Sequence, residues 1–120
     1  MPIGQVTAFT AASDPNSLLG RPHQYTGKAT WVDTSLPTPS DPTDISAGGS
    51  VETFSTVGDL QSRSTYIANI AKTPLFAEYD YYSTIGLVLL RDSGKLTPDQ
   101  ATAYVNAAKS FLPDIAQVNV

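Results

Sequence analysis

The sequence predicts an α+β domain, an antiparallel sheet of about four to five strands with two helices packed on one face. Three observations predict it. Short segments alternate apolar and polar residues between turn-forming residues. Two longer segments repeat apolar residues at helical spacing behind capping residues. Their order along the chain is strands, helix, hairpin, helix. The 120 residues suit one domain spanning 1–120, large enough for a self-sufficient core.

Val6 to Phe9 reads as a short strand. Asp14-Pro15-Asn16-Ser17-Leu18-Leu19-Gly20 then spells a single helical turn, with Asp14 as the cap and Pro15 at the first helical position. Gly20 closes it in a left-handed conformation, and Leu18 and Leu19 dock it on the core. Lys28 to Asp33 alternates as a strand, with Ala29 and Trp31 on one face and Thr30 and Val32 on the other. Leu36 to Gly49 combines prolines, aspartates and a Gly-Gly pair without periodicity, which predicts an exposed loop. Ser50 to Phe54 is the next strand.

The first helix is expected over Val57 to Ala71, capped by Thr56, with an apolar stripe of Leu60, Ile67, Ile70 and Ala71. Asp59 and Arg63 form a pair one turn apart on its opposite side. Ala77 to Tyr82 alternates, placing Ala77, Tyr79 and Tyr81 on one face and Glu78, Asp80 and Tyr82 on the other. Leu87 to Arg91 is apolar up to its last residue and is expected to be the most buried strand, joined to its neighbour by a hairpin through Ser83 to Gly86. The second helix opens on Thr97-Pro98-Asp99-Gln100, an N-cap followed by a first-position proline and a capping-box glutamine. Ala101, Tyr104, Val105, Ala108 and Leu112 share its stripe, and Pro113 ends it.

Charged residues make up only 15%, and Ser, Thr, Pro and Gly fill the difference, so the surface is solvated by hydroxyls and amides more than by ions. That style is common in exported proteins. A net charge of −4, with the seven Lys and Arg scattered, excludes a stripe able to replace phosphate counterions, and no nucleic-acid partner is expected. The absence of cysteine excludes disulfides, thiol nucleophiles and Cys-based metal sites. No apolar run reaches the ~18 residues of a membrane span. Met1 to Thr10 has neither a basic head nor an apolar stretch, which predicts either a cytoplasmic protein or a mature fragment behind a new Met1.

The run from Asp14 to Lys28, DPNSLLGRPHQYTGK, resembles a group of small actinobacterial lipoproteins of unknown function, which read approximately D-P-N-x-L-L-G-R-P-G-Q-Y-x-S-K near their mature start. Gly48 to Phe54 resembles that group's glycine-led strand, and Arg63 to Ile67 the end of its first helix. Glu78 to Tyr81, Leu89 to Arg91 and Leu96 to Pro98 resemble its closing hairpin and helix. The resemblance covers most of the chain. It implies export and a lipid tether on an N-terminal cysteine, and it brings no activity with it. His23 stands where the group has glycine, and the lipid-bearing cysteine is not in this sequence.

The candidate contact residues are Asp14, Asn16, Arg21, His23, Gln24, Tyr25 and Tyr82. The first six, with Lys28, concentrate polar groups suited to a carboxylate or a sugar, though each also has a local role in a capped turn. Tyr82 is the tyrosine expected to face solvent beside Glu78 and Asp80, whereas Tyr79 and Tyr81 lie under the helices. His23 is the sole histidine, without a G-x-S-x-G elbow around any serine. One histidine and no cysteine disfavour zinc, and Asp33, Asp41 and Asp44 lack the ligand order of a calcium loop, so neither metal nor cofactor is expected. Glu52, Glu78 and Asp80 offer carboxylates for glycoside hydrolysis but no predicted cleft, and Glu78 and Asp80 are expected to face solvent. These readings together predict a non-enzymatic binding or interaction domain displayed at the cell envelope, its partner an unknown protein or cell-wall component. The alternative is a small hydrolase or lyase using His23 with a nearby carboxylate.

Overall fold

A computed structural model describes residues 1–118. Among the described residues six strands form one sheet: β1 (Ile3–Ala8), β2 (Gly27–Asp33), β3 (Gly48–Thr53), β4 (Glu78–Ser83), β5 (Val88–Ser93) and β6 (Ala116–Gln117). Their spatial order is β1-β2-β3-β5-β4-β6, with every neighbouring pair antiparallel. The helices are α1 (Val57–Ala71) and α2 (Pro98–Ala108). Neither is long and apolar enough to cross a membrane.

The α+β class and the antiparallel sheet agree with the sequence, and the strand count exceeds the four to five expected. The additional strand is β6, two residues past α2 that pair Ala116 with Tyr82 and Gln117 with Tyr81. So short a segment carries no alternation to read. β1 begins at Ile3 rather than Val6, with a bulge between those two residues. The loop before β3 is shorter than predicted, because Ile45–Ala47 form a 3-10 turn and both glycines enter the strand. Gly49 has to be glycine: a Cβ there would lie 2.4 Å from the Trp31 ring across the ladder.

A larger correction concerns the helices, which pack on opposite faces of the sheet. Leu89 and Leu90 are consecutive on β5 and therefore point to opposite sides. Leu90 joins Trp31, Leu96, Tyr104, Val105 and Ile115 under α2, and Leu89 joins Tyr25, Phe54, Leu60 and Ile67 under α1. Tyr79 and Tyr81 pack with the α2 cluster, as their alternation requires, while Tyr82 packs half-buried with the α1 cluster. Tyr82 is therefore not the solvent-facing residue expected, because the second face of the sheet is also covered.

The capping signals are realised in full. Thr56 Oγ1 accepts from the Asp59 amide at 3.1 Å. At α2, Gln100 N donates to Thr97 Oγ1 at 3.2 Å and Thr97 N donates to Gln100 Oε1 at 2.8 Å. Each such cap contributes about 1 kcal/mol. On the α2 face, the Tyr104 hydroxyl donates to Asp33 at 2.6 Å, and its ring lies 5.5 Å from Trp31.

Asp92 shares that face, in register with Gly49 and Tyr79. It has no exposed surface, and neither carboxylate oxygen finds a hydrogen-bond partner among the described residues. Burial, reinforced by the negative charges of Glu78 and Asp33, pushes its carboxyl up to about 7. Because the folded group titrates above the unfolded one, its contribution is fully present below about pH 4 and is lost as pH rises through the folded value. Asp92→Asn should therefore raise Tm at pH 8 by about 5 °C or more and change it far less at pH 4. Calorimetric melts of variant and parent at both pH values check this; equal increments at the two would exclude a buried titrating Asp92.

Candidate functional site

The α1 face of the sheet carries charge where a covered face ordinarily carries aliphatic residues. Thr30, Ser50, Arg91 and Asp80 stand opposite one another across β2, β3, β5 and β4. The row beside them includes Lys28 and Glu52, and Glu78 lies two residues from Asp80. Glu52 has no exposed surface and meets two guanidiniums. Arg63, reaching down from α1, donates from Nε at 3.0 Å and Nη2 at 3.4 Å. Arg91 donates to Glu52 from Nη1 at 3.1 Å and grips Glu78 through Nε at 2.7 Å and Nη2 at 2.8 Å. Bidentate geometry of this kind is the strongest form of ion pair available to side chains.

The protonation states follow from the crowding. Burial raises the Asp80 carboxyl, and its hydrogen bond to Glu78 and that group's charge raise it further, to about 9. Asp80 thus keeps its proton at neutral pH. Glu78 is held on the other side of the usual range: burial would raise it, but the Arg91 guanidinium and the bond from Asp80 outweigh that and lower it. With Asp80 neutral, Asp14, Glu52 and Glu78 balance Lys28, Arg63 and Arg91.

Asp14 closes this network from the N-terminal side. Its oxygens accept from the amides of Asn16 at 3.1 Å and Leu18 and Leu19 at 2.9 Å, and from the Tyr25 hydroxyl at 2.6 Å. Burial would raise its carboxyl, yet these bonds prevail and hold it well below the ordinary range. The Asp14–Gly20 segment forms hydrogen-bonded turns rather than the helical turn expected, because Ser17 is left-handed at φ 56° and breaks the helical path; Asp14 caps it and Gly20 is left-handed at φ 81°, as the sequence predicts.

Two neighbouring clefts are lined by residues of this charged face. The larger, of about 1310 Å³, runs between α1, the turn Pro74–Phe76, the loop around Ile45 and the N-terminal loop. Arg63, Glu78 and Arg91 line its floor, and Tyr66, Leu75 and Phe76 its apolar wall. Those three wall residues are 59%, 83% and 56% exposed. The smaller cleft, of about 250 Å³, adjoins it and shares Asn16, Asp44 and Arg91.

The sequence-derived candidates divide by position. Asn16, His23 and Gln24 line the larger cleft. Asp14 and Tyr25 are buried and hold the turn rather than presenting a surface, and Tyr82 lies under α1. Arg21 is exposed and lines neither cleft. The expected Asp59–Arg63 pair does not form: Arg63 is buried against Glu52, and Asp59 instead meets His23 Nδ1 at 3.0 Å. Glu78 and Asp80, expected in solvent, are withdrawn from it: Glu78 pairs with Arg91 and lines the larger cleft, and Asp80 is buried beside it on the same face. Arg63 and Arg91 were not singled out as site residues, and Glu78 was set aside as solvent-facing, because their partners lie 11, 13 and 39 residues away. Compared with known proteins, the chain matches no family model, no curated protein and no solved structure.

His23 adopts φ 64°, the left-handed region in which glycine carries no steric cost. The His23 side chain is 86% exposed, so its pair with Asp59 returns little. His23→Gly should stabilise the fold by about 1 kcal/mol, whereas the β-branched His23→Val should destabilise it. Denaturant titrations of both decide the matter; a loss of stability in the glycine variant would contradict the backbone argument.

Proposed function

We propose that this chain is a non-enzymatic binding domain, displayed at the cell envelope, that receives a protein segment or a cell-wall component in the larger cleft. The observation that carries this reading is the cleft wall. Tyr66, Leu75 and Phe76 hold aromatic and aliphatic surface open to solvent directly beside a charged floor. Exposed apolar clusters rimmed by polar groups mark recognition surfaces, and aromatic residues and arginine are enriched there. The floor supports it further. Arg63, Arg91 and Glu78 are already locked by their mutual bonds, so a ligand would not have to order them. Display at the envelope rests on the Asp14 to Lys28 resemblance and on the hydroxyl-rich composition.

Immobilised domain should retain material from either soluble peptidoglycan fragments or detergent-extracted envelope proteins. The double variant Leu75→Ser, Phe76→Ser should lose at least tenfold of that retention with Tm unchanged, since both side chains are exposed. Retention equal in variant and parent, or none from either pool, would sink the reading.

One observation favours a second reading. His23 Nδ1 donates to Asp59 at 3.0 Å at the cleft mouth, the orientation a general-base histidine needs in a small hydrolase or lyase. Under that reading a panel of ester, amide and glycoside substrates yields a turnover that His23→Gln abolishes; turnover indifferent to that change would remove it.

A further inference from the structure

The smaller cleft collects hydrogen-bond donors that the protein itself does not use. Lys28 is 7% exposed, and its ammonium lies 3.7 Å from Asp14 Oδ1, beyond hydrogen-bond distance. It sits 5.3 Å and 5.5 Å from the ring centroids of Phe9 and Tyr25. Its contact with Asp14 is thus an ion pair without a hydrogen bond. Thr30 follows two residues along β2 on the same face, and Ser50 stands directly opposite Thr30. Both are 1% exposed, and neither hydroxyl has a partner among the described residues. Arg91 is next across the ladder, and its three bonds to Glu78 and Glu52 leave two of its five N–H groups without one.

All four residues line the same space of about 250 Å³. Buried polar groups left unmet cost stability, and protein structures keep few of them. Two cations and two hydroxyls facing one polar space call for an acceptor that carries negative charge. The lining also includes Asp41 and Asp44, which disfavours a dianion such as phosphate and suits a ligand bearing an ammonium or hydroxyl group beside a single carboxylate. The space equals roughly eight water volumes of about 30 Å³, enough for a small amino or hydroxy acid.

We infer that the smaller cleft binds a carboxylate group, its oxygens accepting from Lys28, Thr30, Ser50 and Arg91. The group is either a free small acid or the end of a chain lying in the larger cleft, which meets this one at Asn16, Asp44 and Arg91. Only the second source rests on the binding function proposed above.

Calorimetric titration of the full chain with acetate, alanine, dialanine, alaninamide and inorganic phosphate tests it. Alanine and dialanine should bind saturably, alaninamide at least tenfold more weakly than alanine, and phosphate no more tightly than acetate. Thr30→Val and Ser50→Ala should each weaken alanine binding several-fold while Tm holds or rises, because neither removes a hydrogen bond made within the protein. Lys28→Met should abolish binding, and the two hydroxyl variants keep the test decisive if that variant fails to fold. Equal affinities for alanine and dialanine assign a free acid; tighter dialanine binding assigns a chain end. No saturable binding by any carboxylate, alaninamide equal to alanine, or phosphate tighter than acetate overturns the inference. The two readings fail separately. Alanine binding that persists in the Leu75→Ser, Phe76→Ser variant leaves this site standing whatever becomes of the larger cleft. Retention of envelope material without carboxylate binding removes this site alone.

Discussion

A carboxylate with no exposed surface, Glu52, lies at the middle of the sheet on the face that α1 covers. An ion in that position costs several kcal/mol unless donors replace the water it has lost. Arg63 comes from α1 and Arg91 from β5, so the two guanidiniums that meet Glu52 belong to different elements. Arg91 in turn clamps Glu78 on β4, and the Asp14 turn is drawn in through Lys28. The seating of the helix, the β3-β5-β4 ladder and the N-terminal loop are thus tied to one buried charge. Displacing any partner would strand another ion in the interior.

That constraint also shapes the surface. A helix seated by an arginine needs fewer apolar anchors than one seated by a full stripe, and α1 buries Leu60, Ile67 and Ala68 on this side. Ile70 is half-buried and Tyr66 is largely exposed, so the end of the helix stands clear of the sheet and leaves the larger cleft beneath it. Mutual pairing keeps the floor of that cleft rigid, and the proton on Asp80 keeps it from carrying excess negative charge. The same interactions that fix the fold therefore prepare a polar floor beside an apolar wall.

The elements governed by local chemistry were legible in the sequence. Thr56 and Thr97 cap where their spacing to Asp59 and Gln100 requires, α1 runs over the residues its periodicity marks, and Asp14 and Gly20 close their turn. The charged floor was not, because Glu78 and Asp80 alternate with tyrosines and read as a solvated face, the usual place for carboxylates. One signal did point to it. Leu87, Val88, Leu89 and Leu90 form an unbroken apolar run, which a strand covered on a single face does not need. Two covered faces at β5 require the charged side of its neighbours to be interior as well. His23 and Asn16, singled out for their polarity, line the larger cleft, whereas burial removed Asp14, Tyr25 and Tyr82 from the accessible surface.

The sheet separates two layers whose cohesion differs in thermal character. Beneath α2 the contacts are mainly Trp31, Leu90, Tyr104, Val105 and Ile115, a layer held by apolar hydration, which weakens on cooling. Beneath α1 an aromatic and aliphatic cluster is joined to a lattice of ions, whose desolvation penalty falls on warming. Cold therefore presses hardest on the α2 layer, and heat leaves the α1 layer with a cohesion that apolar contacts alone would not supply.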